Sequence, residues 1–422
     1  MAAGLGAVLW LLAAEVVQAP PPAVAVQAPP PAQPAISVAW SGYVQADGFA
    51  YDQASQDEVD PSGATPLNQT RFFIRRARLH LDVDHERMAG SLELDANTTS
   101  GPAAGLIDAE VSVRARQPDD AGRAWADASI GLMRIPWGHE IGERDQDRFF
   151  LERSTVSRAL FPGTFDLGLR ARGGWRFLDA QVALMNGDPL GDRTFPVQDP
   201  NRAKDLVGRL GVHGARGRFT FRAGLSALTG TGFHRGTPET KDVLVWRDQN
   251  EDGIVQLSEI QVIPGSAAMP SSNFYRFALG GDARFIAVLP RLGALDLFVE
   301  GMWASNLDRA VAPADPITAG RDLRERGWVI GLVQSLGAHA AAGVRYDYYD
   351  PDADASQQRA LAVVPVNAAF TTWTATAAWR CNGLDRIVVE YQRVTNPLGR
   401  TMAGSPATLG GNSVALRGQL AW

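Results

Sequence analysis

The chain repeats one pattern along most of its length, an alternation of apolar and polar residues with a period of two. In the last stretch, 411–422, one parity holds Val414, Leu416, Leu420 and Trp422, and the other holds Ser413, Arg417 and Gln419. A strand with this period has one apolar face and one polar face. Because the stretch also ends on an aromatic residue, the pattern is typical of a wall between lipid and water.

The alternation recurs in about sixteen stretches between residues 37 and 422, separated by clusters of Gly, Pro, Asp and Asn. In one of them, Ile107 and Val111 share one parity while Asp108 and Glu110 share the other. Short connections such as 86–87 and 337–338 alternate with long ones such as 230–272. The pattern predicts an all-β fold, a transmembrane antiparallel β-barrel of about 16 strands with turns at one end and loops at the other.

Composition excludes several other classes of protein. Hydrophobic residues make up 45% of the 422 residues, but no internal run of about 20 apolar residues is long enough to cross a bilayer as a helix. The formal net charge of −6 gives no basic footprint for nucleic acid. Cys381 is the only cysteine, so the chain forms no internal disulfide.

Large aromatic residues lie near the ends of the stretches or on their apolar parity: Trp40, Trp175, Phe177, Trp303, Trp373 and Trp379. In a membrane barrel such residues form girdles at the two lipid–water interfaces. In a soluble β-protein they would fill a core instead. We expect girdles, because the charged residues are confined to the opposite parity.

The N-terminus has the composition of an export signal. An apolar stretch at 2–14 continues through small residues into a Pro/Ala tract at 19–35, and the first Lys or Arg is Arg71. We expect a signal peptide over residues 1–25, a Pro/Ala-rich spacer over 26–35 and the barrel domain over 36–422.

One connection, 134–166, is too long for a hairpin turn and dense in charge. If it folds into the barrel, its charges line a constriction and set the local potential, because low-dielectric walls limit screening by salt. The candidate constriction residues are Arg134, Glu140, Arg144, Arg148, Glu152 and Arg153. The alternative is a solvated external loop whose charges pair with one another.

Four segments resemble the phosphate-selective porin O and P family: R-F-F-I-R-R-A-R-L at 71–79, I-G-L-M-R-I-P-W-G-H-E at 130–140, R-F-F-L-E-R-S at 148–154 and A-L-F-P-G-T-F-D-L-G at 159–168. They keep the family's order, and the resemblance extends loosely over residues 40–422. It implies an outer-membrane barrel of sixteen strands with an inward-folded third loop, commonly a homotrimer. It also implies passive diffusion of small hydrophilic solutes, with phosphate-like anions preferred by some members.

Arginines on the predicted inner parity would face the lumen: Arg76, Arg78, Arg114, Arg116, Arg170 and Arg172. Guanidinium forks suit phosphate oxygens. However, Asp82, Glu93 and Asp108 share that parity, and the chain has only two lysines. A mixed-charge lumen favours a general porin over a dedicated phosphate channel. The alternative role of the arginines is cross-strand ion pairing.

The segment D-Q-N-E-D-G-I-V-Q-L-S-E at 248–259 fits the calcium-loop pattern of EF-hands. Oxygen ligands are available from Asp248, Asn250, Asp252, the backbone carbonyl of Ile254 and a bidentate Glu259. The flanks look extended rather than helical, so the expected Ca²⁺ site is an isolated loop. The alternative is an acidic surface loop that binds no ion.

Two other functions fit parts of the sequence. An outer-membrane barrel enzyme needs a nucleophile and a base, but the six histidines show no G-x-S-x-G or metal-ligand spacing nearby, and only His139 beside Glu140 is suggestive. A secreted soluble β-rich protein that binds carbohydrate needs neither a terminal aromatic residue nor charges confined to one parity. We therefore predict a non-enzymatic porin, integral to the outer membrane of a Gram-negative cell and in contact with its lipid.

Overall fold

The structure is a cylinder of sixteen antiparallel strands that closes on itself. It is a computed structural model that describes residues 36–52, 69–116, 124–191, 198–359, 361–397 and 411–422. The predicted signal peptide and spacer lie outside the described residues. The prediction of an all-β barrel of about sixteen strands is confirmed.

The barrel begins with β1 (Ile36–Tyr51), β2 (Arg71–His85), β3 (Met88–Asn97), β4 (Ala103–Arg116), β5 (Trp125–Arg134), β6 (Phe165–Trp175), β7 (Leu178–Met185), β8 (Asp205–Arg216) and β9 (Phe219–His234). It continues, after the small strands β10 (Val243–Trp246) and β11 (Ile260–Ile263), with β12 (Ser272–Leu289), β13 (Gly293–Ser305), β14 (Arg324–Leu336) and β15 (Ala340–Asp350). After β16 (Ser356–Arg359) and β17 (Ala362–Pro365) it ends with β18 (Phe370–Asn382), β19 (Asp385–Thr395) and β20 (Ser413–Ala421).

Each barrel strand pairs with the next barrel strand in the chain, and β20 pairs with β1 to close the cylinder. The four small strands form two separate hairpins, β10 with β11 and β16 with β17. The helices are α1 (Thr155–Leu160) and α2 (Pro316–Ala319), with a 3-10 turn at Leu257–Glu259. In the part of the chain that the structure describes, neither helix has the length and apolar character needed to cross a membrane.

Turns and loops segregate to opposite ends of the barrel. The turn end has tight connections such as 86–87 and 176–177, in which Glu86 and Arg176 adopt φ values of +50° and +54°. This left-handed conformation matches the twist of the flanking strands in two-residue hairpins. The loop end has the long connections, including 135–164 and 235–271.

The outer face of the barrel is apolar. In β20, Val414 is 51% exposed while Arg417 is 1% exposed, as the alternation predicts for an inward Arg417. The six predicted girdle residues each expose at least 50% of their surface, so they lie on the outside and fill no core. Neighbouring rings on the outer face also contact one another, as Tyr346 and Trp373 do with centroids 4.7 Å apart.

Bulges shift the alternation locally, and this corrects one feature of the predicted pattern. The pairing of β3 with β4 slips between Glu93 and Leu94, so that Leu94 pairs with Leu106 and no residue pairs with Ile107. Leu106 is therefore 41% exposed and Ile107 only 8% exposed, although the sequence places Ile107 on the outer parity. One inserted residue reverses the faces of the residues beyond it.

Candidate functional site in the barrel lumen

The inner wall of the barrel carries charges that are paired across strands. Arg78 on β2 lies 3.3 Å from Glu93 and 3.3 Å from Asp95 on β3. On the opposite side, Arg276 on β12 lies 3.0 Å from Asp205 on β8. Opposite charges on facing positions hold one another in place. The wall is therefore polar and ordered, with both signs of charge present.

One long connection enters the lumen. Residues 135–164 form the third connection at the loop end, between β5 and β6, and we call them the plug loop. The loop reaches β9 first, where Ser226 Oγ accepts a hydrogen bond from Gly138 N at 3.1 Å. It then crosses to β1, where the Gln45 side chain donates to the carbonyl of Asp145 at 3.4 Å. The third loop is thus folded inward, as predicted.

Buried carboxylates of the wall fix the path of the plug loop by accepting backbone N–H groups. Glu300 on β13 accepts from Glu140 N at 2.9 Å, and Glu390 on β19 accepts from Leu151 N at 2.9 Å. Asp347 on β15 accepts from Thr155 N at 3.1 Å. Hydrogen bonds between buried groups are stronger than those in water, because the local dielectric is low. The three contacts therefore tie the loop to three different strands.

Buried arginines of the wall also hold the loop, in this case by donating hydrogen bonds to its carbonyl groups. Arg417 on β20 donates to Leu151 O at 3.0 Å and binds Asp47 on β1 with two contacts of 2.7 Å. Arg386 on β19 donates to Arg148 O at 2.6 Å. Because each guanidinium also contacts the wall, the loop and the strands share one hydrogen-bond network.

The plug loop also brings a hydrophobic core into the barrel, which the sequence pattern did not predict. Its buried members are Trp137, Ile141, Val156, Leu160 and Phe161, and they pack against inward-facing Met133, Met185, Val207, Leu228 and Met302 of the wall. The rings of Trp137 and Phe161 lie 5.0 Å apart. Apolar packing of this kind excludes water. Part of the lumen is therefore closed, and any aqueous path runs beside this core.

Two acids of the plug loop face arginines of β2. Asp145 lies 2.8 Å from Arg78, and Glu152 lies 3.1 Å from Arg75. Burial alone would raise the pKa of both carboxyl groups, but the neighbouring guanidinium groups, Arg76 among them, lower each pKa below its ordinary range. Both acids are therefore ionised at neutral pH and bind the loop electrostatically to the wall.

The six predicted constriction residues differ in their surroundings. Arg144 is exposed, and Glu152 is partly exposed. Arg134 donates to the carbonyl of Ile141 at 2.9 Å and lies over the ring of Phe165. For these three residues the constriction role stays a prediction.

The other three are buried: Glu140, Arg148 and Arg153 are 3%, 4% and 8% exposed. Glu140 accepts from Ser154 N at 3.1 Å, Arg148 contacts Asp145 at 2.6 Å, and Arg153 donates to Phe161 O at 2.7 Å. These contacts lie within the plug loop, so they favour a structural role for the three side chains over direct contact with a solute.

The predicted lumen arginines contact acidic partners wherever their side chains are described. The partners are Asp145 and Glu152 for Arg76, Asp145 and two β3 acids for Arg78, Asp84 for Arg114, Glu110 for Arg170 and Asp127 for Arg172. The side chain of Arg116 lies outside the described part of the chain. The sequence had left open whether these arginines serve ion pairing, and the contacts are consistent with it.

Two polar cavities border the plug loop. One has a volume of 340 Å³ and is lined by Tyr43, Glu93 and Arg144 among others. The other has a volume of 250 Å³, and Glu143 and Arg284 are among its lining residues. Both cavities carry guanidinium and carboxylate groups, so water and small ions are the species that suit them.

The predicted calcium loop lies between β10 and β11. Asp248 accepts hydrogen bonds from Asp252 N at 3.2 Å and Gly253 N at 2.8 Å, and buried Glu259 accepts one from Gln249 N at 3.1 Å. Within the described residues, no group of three or more His, Cys, Asp or Glu side chains is arranged to hold a metal ion. Calcium binding by this loop stays a prediction.

Comparisons with known proteins bear on the fold. A scan against protein-family models finds no match, and a search of curated proteins finds none either. Among solved structures, the chain is similar to the outer membrane channel DcaP of Acinetobacter baumannii, with 13% identity, a TM-score of 0.51 and coverage of 92% of this chain and 97% of that one. It is also similar to Pseudomonas putida OprB, with 9% identity, a TM-score of 0.55 and coverage of 92% and 94%.

A third similar structure is an anion-selective porin from Comamonas acidovorans, with 10% identity, a TM-score of 0.51 and coverage of 92% of this chain and all of that one. Identities this low carry information about the fold alone. These similarities, taken with the closed sixteen-strand barrel, show that the chain has the fold of an outer-membrane β-barrel.

Proposed function

We propose that the protein is a porin of the Gram-negative outer membrane, through which small hydrophilic solutes and ions diffuse passively. The observation that carries the proposal is a closed barrel with an apolar exterior, whose charged inner wall and plug loop enclose polar cavities. A membrane barrel with a polar interior provides a path for water and ions. Charges held at a narrow point select among them.

We further propose a moderate preference for anions, phosphate among them. The 340 Å³ cavity is lined by Arg78, Arg134, Arg144, Arg170, Arg172 and Arg209 against Glu93, Asp108, Glu110 and Asp145, which is six basic groups against four acidic groups. The excess makes the local potential positive, and a positive potential concentrates anions. The resemblance to the phosphate-selective porin family supports the same solute class, while the paired charges favour a general passage.

Planar-bilayer recordings of the purified protein test both proposals. We expect stepwise conductance in KCl and a reversal potential in a KCl gradient that favours chloride. Replacing exposed Arg144 by Gln should shift the reversal potential toward cations, because one positive group leaves the cavity lining. The matched control is Arg218→Gln, an exposed arginine in the turn between β8 and β9. Absence of conductance steps would refute the porin, and equal potentials for the two variants would refute the selectivity role.

The resemblance also supports a homotrimer, and we propose one. Light scattering of the detergent-solubilised protein, corrected for bound detergent, measures the mass of the assembly. A mass of three chains supports the proposal, and a mass of one or two chains contradicts it. Fractionation of the cell envelope tests the location, since a porin must be recovered with the outer membrane.

A further inference from the structure

A cluster of aromatic rings lies on the inner face of the barrel at the loop end, and we call Phe49, Tyr51 and Phe73 the aromatic patch. The rings of Phe49 and Tyr51 lie 6.1 Å apart with 21° between their planes, and those of Phe49 and Phe73 lie 5.8 Å apart with 27° between theirs. The rings are thus nearly parallel and adjacent. All three remain partly exposed, although they share the inner face with buried Asp47.

The neighbouring residue on β2 shows that the position of the patch is specific. Phe72 is 88% exposed and points to the outer face, where a lipid-facing aromatic residue is ordinary. Phe73, one residue later, faces the lumen. A ring inside a water-filled passage has no lipid to contact, so its apolar surface stays in water. Packing a solute ring against it removes that surface from water and is favourable.

Guanidinium groups lie directly over the patch. Arg71 is 4.8 Å from the centre of the Phe73 ring, and Arg75 is 4.9 Å from the same ring and 5.6 Å from that of Phe49. A guanidinium that stacks on a ring keeps its N–H groups in its own plane, where they remain able to bind an anion. The Nε of Arg75 contacts Asp47 at 3.2 Å and Glu152 at 3.1 Å, and its two Nη groups donate no hydrogen bond to the described residues.

A third arginine, Arg158, lies on the plug loop. It is in the last turn of α1 and is exposed, so its charge adds to the positive potential inside the barrel. Within the described residues Arg158 forms no ion pair, whereas the nearby acid Asp47 is already bound by Arg417. At the patch, the three guanidinium groups of Arg71, Arg75 and Arg417 face two acids, Asp47 and Glu152, so apolar ring surface is combined with an excess of positive charge.

We propose that the aromatic patch and its arginines bind small carboxylate anions that carry a planar aromatic ring. The solute ring stacks on the patch, its carboxylate takes the Nη groups of Arg75, and the charge of Arg158 adds to the attraction. Each half of the site selects against a different competitor, because phosphate and acetate lack the ring and neutral sugars lack the charge. The inference rests on the proposed porin function and makes the patch the first docking site of a solute above the plug loop.

Benzoate is the probe, and equilibrium binding is the first measurement. Calorimetry on the folded, detergent-solubilised full chain compares benzoate with acetate, inorganic phosphate and glucose. We expect benzoate to bind more tightly than the other three. Phe73→Leu should weaken benzoate binding about three- to tenfold, the loss of one favourable ring pair. Phe72→Leu is the matched control, since it makes the same change on the outer face, and should leave binding unaltered.

Charge is tested separately with Arg158→Gln, which removes a guanidinium that holds no ion pair in the described structure. We expect weaker benzoate binding with unchanged resistance to unfolding. The proposal is overturned if acetate or phosphate binds as tightly as benzoate, if glucose binds more tightly, or if the Phe73 and Phe72 variants behave alike. In planar bilayers, benzoate should also reduce the KCl conductance. If the protein binds benzoate but does not conduct, the proposed porin function is wrong and the proposed binding site stands. If it conducts but does not bind benzoate, the binding site is wrong and the porin function stands.

Discussion

Replacing Arg417 by Leu should release the plug loop from the wall. The buried guanidinium makes two contacts of 2.7 Å with Asp47, one of 3.0 Å with the carbonyl of Leu151 and one of 3.4 Å with Glu152. Removing one partner of a buried ion pair costs about 3–5 kcal/mol, because the other charge stays buried. Arg75, at 3.2 Å from Asp47, compensates in part, so we expect a loss of about 3 kcal/mol in the free energy of unfolding.

Two assays follow this change. Urea unfolding in detergent, read by tryptophan fluorescence, gives the free energy of unfolding, and planar-bilayer recordings show whether the freed segment makes the open-channel current larger or noisier. Arg172→Leu is the control, because Arg172 is more exposed and its ion pair among the described residues is with Asp127 of the neighbouring strand, a type of pair worth about 0–1 kcal/mol. If Arg417→Leu destabilises the protein no more than this control, the plug loop is not held by the network described here.

Three further predictions concern other parts of the molecule. Gly138→Ala should destabilise the protein by about 1–3 kcal/mol in the same urea assay, because Gly138 has a φ of +46° and a Cβ would lie 1.7 Å from Glu300 Oε1. Gly301→Ala is the control and should be nearly neutral, because a Cβ at Gly301 meets no atom within 4 Å. Acid should release the plug loop, because Asp145 and Glu152 have lowered pKa values in the folded protein. The contribution of these two acids to the stability of the folded protein is complete above about pH 4.5 and is lost as the pH falls below it. Current noise that is constant from neutral pH to pH 2 would contradict this. Calcium should give a calorimetric heat of binding that Glu259→Gln abolishes. Glu239→Gln, in the same connection, is the control and should preserve the heat. An identical heat for both variants would dismiss the site at 248–259.

The barrel itself could be predicted from the sequence, because the pattern that identifies each strand lies within that strand's own residues. Each strand has one face in lipid and one in the lumen, so residues such as Val414 and Arg417 reveal their sides by parity alone. The turn and loop ends were likewise visible in the lengths of the connections. Where the prediction failed, as at Ile107, the cause was a bulge whose position depends on the partner strand.

The interior of the plug loop could not be predicted, because it depends on contacts between distant segments. The sequence shows that 134–166 is rich in charge, but it does not show that Glu140, Arg148 and Arg153 each contact a partner within the loop itself. The wall residues that hold the loop, Glu300 and Arg417, look like any other inward charge in the sequence. One signal in the sequence does mark this interior: the apolar runs at 135–137, 149–151 and 159–161 in a charged loop, which enter buried apolar clusters inside the barrel.

The contact between Arg417, Asp47 and Leu151 also links closure of the barrel to the position of the plug loop. Asp47 and Arg417 are 370 residues apart in the chain and belong to the two strands that meet last when the sheet curls into a ring. A segment of the third connection lies against that junction, so one guanidinium joins the two edges of the sheet and also holds the segment. A chain that lacks its final strand therefore loses both the closed ring and this anchor of the plug loop.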